Sequence, residues 1–562
     1  MLAHIPRVSD RLWVAHYPKD VPTHLEYPSE PAYWLLEEAA GRFPTRDACS
    51  YYRQVLTYGQ LLDHSRRMAT ALRARGLQPG DRVGILLPNA PEYLIALFGT
   101  WIAGGVAVPL NPLMVPEEVA VLLRTTACRA VVCLDLLLPL LGSEKDGRPD
   151  VLFVTSLADR LRGLAALTYL FARLRRLGLR SWRRPSGTTG LNEALAAAVA
   201  DHDLPRPRPE EPALIVPTGG TTGWPKAVLL THRNLLANAL QIYHWWGRPT
   251  DRSAFLAVLP FCHIYGLTAC ALTGVAMSAT LLLHHRFRAD QILTLVERRR
   301  PTHFPAVPAM LVAFNKVLRR RRYDLSSIRT VISGGARLSP EVAAEFSRRS
   351  GSAVVEGYGL SEASPVTHVG PLDGTARPGT IGLPLPDTDA MIVDPVTGSG
   401  PLPAGEVGEL VVRGPQVMAG YWDDPDATAN ALRDGWLYTG DLAACSADGF
   451  FRIVDRKKDV IITNGVNVYP TDVERVLCQC EGVGEIAVLG VPDADRGELV
   501  KAVVVPKAGT HFTRRAFDQF ARQHLEAHKR PREVAVVPGP LPRSPVGKLL
   551  RRVLREQHLG SE

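Results

Sequence analysis

The most informative segment of this sequence is Leu214-Ile215-Val216-Pro217-Thr218-Gly219-Gly220-Thr221-Thr222-Gly223-Trp224-Pro225-Lys226. An apolar run of strand length leads into a loop of glycines and hydroxyl residues, and the loop ends in a lysine. Glycine lets backbone N–H groups approach a ligand closely, while the hydroxyls and the lysine add donors and positive charge. The pattern favours a buried strand followed by a polyphosphate-binding loop, although ordinary turns often have the same composition.

The spacing of the glycines excludes one large class of phosphate-binding protein. The segment lacks the G-x-x-x-x-G-K-[ST] pattern, which excludes a P-loop ATPase or kinase. A second run, Ser186-Gly187-Thr188-Thr189-Gly190, has similar letters but follows an arginine-rich segment and is not followed by a Pro-Lys pair. We interpret this second run as a linker.

Length and composition indicate a globular protein with more than one domain. The 562 residues are 46% hydrophobic and 22% charged, and so long a chain exceeds one ordinary core. The formal charge of +9 suits an anionic partner such as a nucleotide, a coenzyme or a phospholipid surface. Arginines that lie on the surface in contact with water would explain the same charge. We expect no nucleic-acid partner.

The cysteines and the N-terminal segment bear on location. Eight cysteines at irregular spacings do not form a disulfide framework and favour a reduced, intracellular setting. The first residues lack the apolar core of a signal peptide, and no later run reaches the roughly 18 apolar residues of a membrane helix. We predict a cytoplasmic protein, with peripheral contact at the inner membrane face as a further hypothesis.

Apolar strands alternate with amphipathic helices along most of the chain, which is typical of an α/β fold. The pattern predicts a helix from Tyr58 to Arg75, a strand within 80–87, a helix from Pro91 to about Gly105 and a strand at Val106–Pro109. We expect a large N-terminal domain of stacked α/β subdomains with a small sheet, followed by a smaller α+β C-terminal domain.

The clearest domain boundary lies at Asp455-Arg456-Lys457-Lys458. The preceding segments 435–441 and 448–451 have the composition of turns in a small sheet. About a hundred residues with their own periodicity follow, enough for a small domain. The predicted domains are therefore 1–455 and 456–562.

Residues 160–184 contain eight arginines and no acidic residue, with leucines and one phenylalanine at near-helical spacing. A basic amphipathic helix of this kind can lie on an anionic bilayer. The alternative is an arginine-rich surface helix that packs on its own domain.

Further motifs follow the glycine–threonine loop in a fixed order. They are Leu259-Pro260-Phe261-Cys262-His263-Ile264-Tyr265-Gly266, Ser333-Gly334-Gly335-Ala336, Glu356-Gly357-Tyr358-Gly359-Leu360-Ser361-Glu362, Tyr438-Thr439-Gly440-Asp441, Asp455-Arg456-Lys457-Lys458-Asp459 and Pro542-Arg543-Ser544-Pro545-Val546-Gly547-Lys548. From about Pro31 to Arg552 the chain resembles the adenylate-forming superfamily of acyl-CoA synthetases, peptide-synthetase adenylation domains and luciferases. It is most similar to medium- or long-chain fatty-acid–CoA ligases.

The resemblance implies a reaction in which a carboxylate attacks the α-phosphorus of ATP, so cations and Mg²⁺ must neutralise charge in a site shielded from water. It assigns phosphate-loop roles to Thr218, Gly220, Thr221, Thr222, Gly223 and Lys226. It assigns nucleotide contacts to Gly335, Glu356, Gly357, Tyr358, Gly359, Ser361, Asp441 and Arg456. Tyr358 would stack on adenine, Asp441 would accept the ribose hydroxyls, and Glu362 would bind Mg²⁺ as a hard oxygen ligand.

The same resemblance implies a C-terminal domain that rotates between two half-reactions. Lys548 would bridge the attacking carboxylate and the α-phosphate, and Lys458 would lie at the hinge. Gly465 begins a loop expected to line the route of the thiol. His263 and Gly334 would border the acyl pocket.

Several of these residues could have a purely structural role when each is considered alone. Glu362 could cap a helix, Arg456 could lie on the surface, His263 could be a core histidine, and Lys548 could be an exposed tail lysine. The sequence also departs from the family pattern. Gly219 replaces a serine, Ala227 a glycine and Ser361 a threonine; the first change removes one hydroxyl donor from the loop.

The acid and its acceptor are inferred from less direct signals. The region from Cys262 to Thr268 is apolar and has no aspartate to pair with an amino acid, and small residues at 334, 335, 357 and 359 would leave room for a linear chain. We therefore predict a medium- or long-chain fatty acid, with coenzyme A as acceptor. The alternatives are an acyl-AMP ligase that loads a carrier protein and a catalytically silent nucleotide-binding regulator. Luciferase-type oxidation has no distinct support.

Overall fold

The computed structural model describes residues 11–52, 54–142, 148–160, 164–177, 187–217, 226–247, 250, 252–464, 466–493, 496–543, 547 and 549–559. The helices within these ranges are α1 (Trp34–Arg42), α2 (Tyr58–Ala74), α3 (Pro91–Ile102), α4 (Pro116–Thr125), α5 (Leu164–Leu177), α6 (Leu191–Ala197), α7 (His232–Trp246), α8 (Ile264–Gly266), α9 (Thr273–Ala276), α10 (Ala289–Arg299), α11 (Pro308–Leu318), α12 (Pro340–Ser350), α13 (Pro425–Ala431), α14 (Pro470–Leu477), α15 (Arg514–His524) and α16 (Arg551–Leu559).

The strands within the same ranges are β1 (Asp47–Tyr51), β2 (Gln54–Thr57), β3 (Arg82–Leu86), β4 (Val106–Pro109), β5 (Cys128–Leu134), β6 (Val151–Thr155), β7 (Thr188–Gly190), β8 (Pro212–Pro217), β9 (Ala227–Thr231), β10 (Ala254–Ala257), β11 (Thr280–Leu283), β12 (His303–Ala306), β13 (Thr330–Ser333), β14 (Ala353–Gly359), β15 (Val366–Val369), β16 (Leu383–Pro384), β17 (Asp389–Val393), β18 (Gly408–Arg413), β19 (Gly420–Tyr421), β20 (Leu432–Arg433), β21 (Trp436–Cys445), β22 (Phe451–Arg456), β23 (Ile461–Thr463), β24 (Val466–Val468), β25 (Val483–Asp493), β26 (Gly497–Pro506) and β27 (Glu533–Val536).

Two large sheets form the greater part of the described chain. One has the strand order β16-β15-β14-β13-β12-β10-β11-β1-β2, and the other has the order β19-β9-β8-β4-β3-β5-β6-β7. The strands from β14 to β1 are parallel in the first sheet, and those from β8 to β7 are parallel in the second. Parallel strands buried on both faces need continuous apolar runs, and every residue of β4, β10 and β12 is buried.

Two smaller sheets follow, in which the strand pairs are antiparallel except for the parallel pair β26–β27. The order β17-β18-β21-β20, with β22 beside β21, describes the first, and the order β24-β23-β26-β25, with β27 beside β26, describes the second. The main hydrophobic core runs from Trp13 to Phe451, whereas two separate clusters begin at Ile461 and Ala487. Separate cores are what two domains require, and the exact boundary at 455/456 stays a prediction.

Local sequence accounts well for the first helices. The side chain of Thr57 accepts a hydrogen bond from Gln60 N at 3.3 Å, and Gln60 Oε1 accepts one from Thr57 N at 3.0 Å, which forms a capping box at the start of α2. The predicted elements at 58–75, 80–87, 91–105 and 106–109 are confirmed within a few residues at their ends. The α/β class is confirmed as well.

The interpretation of 186–190 as a linker is wrong for its described part. Thr188–Gly190 forms β7, which pairs in parallel with β6 through the partners Leu152↔Thr188 and Val154↔Gly190. The error has a physical reason. A three-residue edge strand gains its order from the neighbouring strand, and no apolar alternation is needed at so short a length.

The basic segment 160–184 contains α5, as predicted. Tyr169 is buried and donates a hydrogen bond to Asp135 Oδ1, and Arg173 Nε lies 3.1 Å from Asp135 Oδ2. Leu167 and Phe171 are 63% and 67% exposed, and their helical positions lie opposite Tyr169. The helix therefore packs by one side and leaves two large apolar side chains on the other. Among the described residues, no helix has both the length and the apolar character needed to cross a bilayer.

Candidate active site

Gly335 and the segment Glu356–Gly359, which are predicted to contact the nucleotide, lie where two parallel strands of the first large sheet end. β13 ends at Ser333, directly before Gly334 and Gly335, and β14 contains Glu356 and ends at Gly359. Ser333 pairs with Glu356 in the β13–β14 ladder, so the two loops start side by side. The carboxyl edge of a parallel sheet is the usual ligand position in α/β folds.

A hydrogen-bonded trio joins this edge to the small sheet. Tyr358 donates its phenolic hydrogen to Asp441 Oδ2 at 2.7 Å, and Arg456 Nε lies 3.4 Å from Asp441 Oδ1. Asp441 and Arg456 are direct partners in the β21–β22 ladder, which fixes their distance independently of any ligand. Burial and the neighbouring Asp441 carboxylate raise the pKa of Tyr358 well above its usual value, so its hydroxyl remains a donor. The structure thus brings together three residues predicted to bind one nucleoside.

A second cluster surrounds Glu362. Glu362 lies in a single turn of 3₁₀ helix, Ser361–Ala363, and its Oε1 accepts a hydrogen bond from the Tyr421 hydroxyl at 2.8 Å. The ammonium of Lys226 lies 4.9 Å from the centre of the Tyr421 ring, within the range of a cation–π contact. The predicted metal ligand and the predicted phosphate-loop lysine therefore approach the same aromatic side chain.

The donor set at Glu362 fits Mg²⁺ brought in with a nucleotide. No group of three or more His, Cys, Asp or Glu side chains arranged to hold a metal occurs in the part of the chain that the structure describes. Mg²⁺ is commonly held by one or two carboxylates together with substrate phosphates and water. A single carboxylate beside the phosphate-loop lysine matches that mode better than a resident metal site does.

Glu356 is a predicted nucleotide residue whose ionisation is moved close to neutral pH. It is half-buried, its Oε1 accepts a hydrogen bond from Leu338 N at 3.3 Å, and burial raises its pKa to about 7. The group therefore changes charge near neutral pH, where a free glutamate would already be ionised.

Three of the four glycines that the sequence suggested would leave room for a linear chain are closely packed instead. A side chain at 334 would meet the Tyr265 ring at 3.1 Å, and one at 357 would meet Ile332 Cγ2 at 2.9 Å. At 359 it would run into the Pro365 carbonyl oxygen. That reason for expecting a linear-chain channel is wrong at these three positions: the glycines allow close packing. Gly335 has a φ of +79°, which favours glycine for conformational reasons.

The predicted acyl pocket has an apolar and tightly packed wall. His263 is half-buried, and its Nδ1 accepts a hydrogen bond from Tyr265 N at 3.3 Å. The Tyr265 hydroxyl donates to Ile332 O at 2.9 Å, which places its ring beside Gly334. The chain then continues as a buried π-helix, Leu267–Leu272, a geometry that is frequent at functional sites.

The predicted hinge is surrounded by ion pairs. Lys457 Nζ lies 2.7 Å from Glu409 Oε2, and burial together with Arg456 lowers the pKa of Lys458. Asp459 is buried and lies 3.1 Å from Arg555 and 3.7 Å from Arg551. Both arginines belong to α16, so the last helix is held against the hinge.

One contact places the end of the chain beside the N-terminal region. A side chain at Gly547 would lie 3.3 Å from Ala309 Cβ at the start of α11. Because α11 follows β12, this contact lies near the loops that begin at Ser333. Seven predicted residues lie outside the described residues: Thr218, Gly220, Thr221, Thr222, Gly223, Gly465 and Lys548.

Tyr421 is absent from the residues predicted by sequence. It lies in the segment Gly420-Tyr421-Trp422, which has no pattern of charged or glycine-rich residues typical of a phosphate or metal site. The same is true of the contact between Asp459 and Arg551. In both cases the partners come from distant parts of the chain, and only the folded structure connects them.

Comparison with known proteins agrees with this geometry. Residues 36–422 match the AMP-binding enzyme family, and residues 472–548 match the AMP-binding enzyme C-terminal domain. A long-chain-fatty-acid–CoA ligase of Bacillus subtilis (strain 168) is 39% identical over 98% of both chains. Feruloyl-CoA synthase of Amycolatopsis sp is 37% identical over 92% of this chain and 96% of that one. The crystal structure of ATP-bound MatB from Rhodopseudomonas palustris is 30% identical, with a TM-score of 0.82 over 94% of this chain and 99% of that one.

The chain belongs to the AMP-binding enzyme family, whose members form acyl-adenylates. Within that class it is an AMP-forming acyl-CoA synthetase. It uses ATP and Mg²⁺ to convert a carboxylic acid into acyl-AMP with release of pyrophosphate, and then transfers the acyl group to coenzyme A. The resemblance recognised from the motifs is thereby confirmed.

Proposed function

We propose that the acid is a fatty acid of medium to long chain. Two observations support this. Whole-length relatives are named long-chain-fatty-acid–CoA ligase. The segment Ile264–Leu272 is buried and mainly apolar, with Thr268 and the Tyr265 hydroxyl as its polar groups and half-buried His263 before it. A carboxylate to pair with an amino group does not occur between 262 and 272. An apolar wall suits an alkyl chain because burial of each CH₂ group contributes about 0.8 kcal/mol.

For the first half-reaction we assign roles as follows. Tyr358 and Asp441 hold adenine and ribose, and Lys226 neutralises the phosphates. Mg²⁺, when bound at Glu362 with the nucleotide, supplies further neutralisation of the phosphate charge. An oxygen of the acid bonds to the α-phosphorus while the bond to the leaving pyrophosphate breaks, and Lys548 stabilises the charge on both reacting groups.

For the second half-reaction we assign the change to a rotation about Lys458. The rotation withdraws Lys548 and brings the loop that starts at Gly465 towards the thiol. The sulfur of coenzyme A then bonds to the acyl carbonyl carbon, the bond to AMP breaks, and the thiol proton leaves to solvent. The ion pairs between α16 and Asp459 support the hinge role of Lys458. They join the residue after the hinge to the rotating domain, so that this domain can move as a rigid unit.

The experiment for the acid is a pyrophosphate-release screen with fatty acids of increasing length and with aromatic acids such as ferulate. We expect kcat/KM to rise with chain length by about fivefold for every pair of CH₂ groups before it levels off, within the transfer free energy of those groups. A preference for ferulate over every fatty acid would instead place this enzyme with its Amycolatopsis relative. Mass spectrometry of the product with coenzyme A, compared with acyl-carrier protein, tests the acceptor.

We also infer that the enzyme contacts an anionic phospholipid bilayer peripherally through 160–184. The support is the exposure of Leu167 and Phe171 on the side of α5 opposite its anchor at Asp135, in a segment with eight arginines and no acid. Apolar side chains flanked by cations are typical of interfacial helices. A fatty acid that partitions into the bilayer would then be near its enzyme.

Co-sedimentation of the full-length protein with vesicles tests the membrane proposal. We expect binding to vesicles of equal parts phosphatidylglycerol and phosphatidylcholine, weakened by salt, and little binding to phosphatidylcholine alone. Leu167→Ser with Phe171→Ser should remove most of the binding, whereas Val396→Ser, a similarly exposed valine elsewhere, should not. Equal binding by both variants would contradict the proposal.

We further propose that the protein is cytoplasmic and that its domains are 1–455 and 456–562. All eight cysteines are free, which suits a reducing compartment. The separate hydrophobic clusters on either side of 451–461 support the boundary. Limited proteolysis with mass spectrometry would locate the boundary directly, and fragments that begin far from 456 would contradict it.

A further inference from the structure

Tyr421 lies between Glu362 and Lys226, the two charged residues to which the proposed mechanism assigns Mg²⁺ and the phosphates. Its hydroxyl donates to Glu362 Oε1 at 2.8 Å, and the face of its ring lies 4.9 Å from Lys226 Nζ. A hydrogen bond to a carboxylate is stronger and more directional than one between neutral groups. A single side chain therefore contacts both the carboxylate assigned to Mg²⁺ and the lysine assigned to the phosphates.

The backbone around Tyr421 is hydrogen-bonded to Glu362 itself and to the residue that follows Lys226. Met418 N donates to Glu362 O at 2.8 Å, and Trp422 N donates to Ala227 O at 2.7 Å, directly after Lys226. Tyr421 itself pairs with Val228 in the β19–β9 ladder, and its N–H donates to Thr428 Oγ1 at 2.9 Å. Segment 418–422 thus links the end of the first large sheet to the edge of the second.

We propose that Tyr421 is a positioning residue for MgATP: it orients the Glu362 carboxylate for the metal and keeps Lys226 beside it. The proposal rests on the functions proposed above for Glu362 and Lys226. A carboxylate has about four lone-pair sites, so the hydrogen bond from Tyr421 fixes its orientation and leaves others for coordination. Holding a ligand group in its bound orientation raises affinity because less freedom is lost on binding.

The test is calorimetric titration of the full-length enzyme, without acid or coenzyme A, first with MgATP and then with ATP in EDTA. For Tyr421→Phe we expect MgATP to bind roughly tenfold more weakly, the size of one lost hydrogen bond to a charged group, with metal-free ATP unchanged. Tyr421→Leu should weaken both, because the contact to Lys226 is lost too. The Mg²⁺ concentration that half-saturates pyrophosphate release should rise in parallel.

Tyr58→Phe is the control for the loss of one phenolic hydrogen bond. Tyr58 is buried at the start of α2 and donates its hydroxyl to Ala279 O at 2.7 Å. It lies outside the motifs assigned to the nucleotide and does not contact Glu362 among the described interactions. We expect both ATP titrations of this variant to match the wild type. Thermal melting of all variants reports any general loss of stability.

Glu362→Gln separates failure of this inference from failure of the proposed function. If Glu362→Gln weakens MgATP but Tyr421→Phe does not, the positioning role of Tyr421 is overturned while the metal role of Glu362 remains. If neither variant changes MgATP binding, both are overturned. If Tyr421→Phe weakens the binding of ATP and of MgATP to the same extent, the positioning role of Tyr421 is also overturned. Effects of the two substitutions that do not add in the double variant would support direct coupling.

Discussion

At the scale of single residues, Glu356 is a nucleotide residue predicted from the sequence that is expected to titrate near neutral pH. Burial raises the pKa of its carboxyl group to about 7, so the folded protein holds a proton that the unfolded chain releases near pH 4.5. The native state therefore binds more protons than the unfolded state between these values. By linkage, the contribution of this group to stability falls as pH rises from about 4.5 through 7.

The ionisation of Glu356 should be visible in nucleotide binding. A carboxylate accepts a stronger hydrogen bond from an amino group of the nucleotide than a neutral carboxyl does. Because Glu356 loses its proton as pH rises through about 7, we expect the KM for ATP to fall several-fold over that range. Glu356→Gln removes the titrating group and should flatten this profile. Steady-state kinetics between pH 6 and 8.5 measure it; an unchanged inflection in the Gln variant would assign the titration to another group.

At the scale of elements, the packing of α2 against α3 depends on Gly99. A β-carbon at 99 would lie 2.6 Å from Met68 Cβ and 3.0 Å from Ser65 O, and every residue of α3 is buried. The helices therefore approach more closely than any larger residue permits. None of the residues in this contact has a proposed function, so a substitution at 99 tests core packing alone.

Gly99→Ala should destabilise the protein by about 1–3 kcal/mol, the usual cost of adding an atom to a well-packed core. Gly41→Ala is the matched control: position 41 is in α1, has nothing within 4 Å of a new β-carbon, and should gain about 0.4–1 kcal/mol. Thermal melting would show a lower Tm for the first variant and an equal or higher Tm for the second. A Tm for Gly99→Ala at or above the wild-type value would contradict the packing described.

At the scale of the whole molecule, the residues around Lys548 contact both predicted domains. Gly547 lies against Ala309 of the N-terminal domain. A few residues further on, Arg551 and Arg555 form ion pairs with Asp459, which lies next to the predicted hinge and within the same C-terminal domain. Lys548 lies between these two groups of contacts in sequence. A rotation about Lys458 would therefore move the lysine and α16 together.

Lys548→Ala should nearly abolish formation of acyl-AMP, because a cation at the reacting phosphate is lost, while leaving thioester synthesis from preformed acyl-AMP within about twofold of wild type. Pyrophosphate release and mass spectrometry of acyl-CoA measure the two half-reactions separately. Equal loss of both would show that Lys548 supports the fold or the thiol step and not adenylation alone.

Across these scales, the sequence determined the class of the enzyme through its ordered motifs. Tyr358, Asp441, Arg456 and Glu362 are predicted because they lie in short contiguous motifs of the superfamily that the sequence resembles, and the structure joins the first three in one hydrogen-bonded trio. Helices α2 and α3 are predictable because caps and apolar spacing are local.

Tertiary structure alone decided the contacts between those loops. Tyr421 meets Glu362 across 59 residues, and β7 becomes a strand only because β6 lies beside it. The glycine at 357 proved to be needed for packing against Ile332 on the neighbouring strand, a contact that no local pattern reveals. The propensity to form a helix or strand depends on neighbouring residues, whereas the distances between side chains remote in sequence depend on how the sheets assemble.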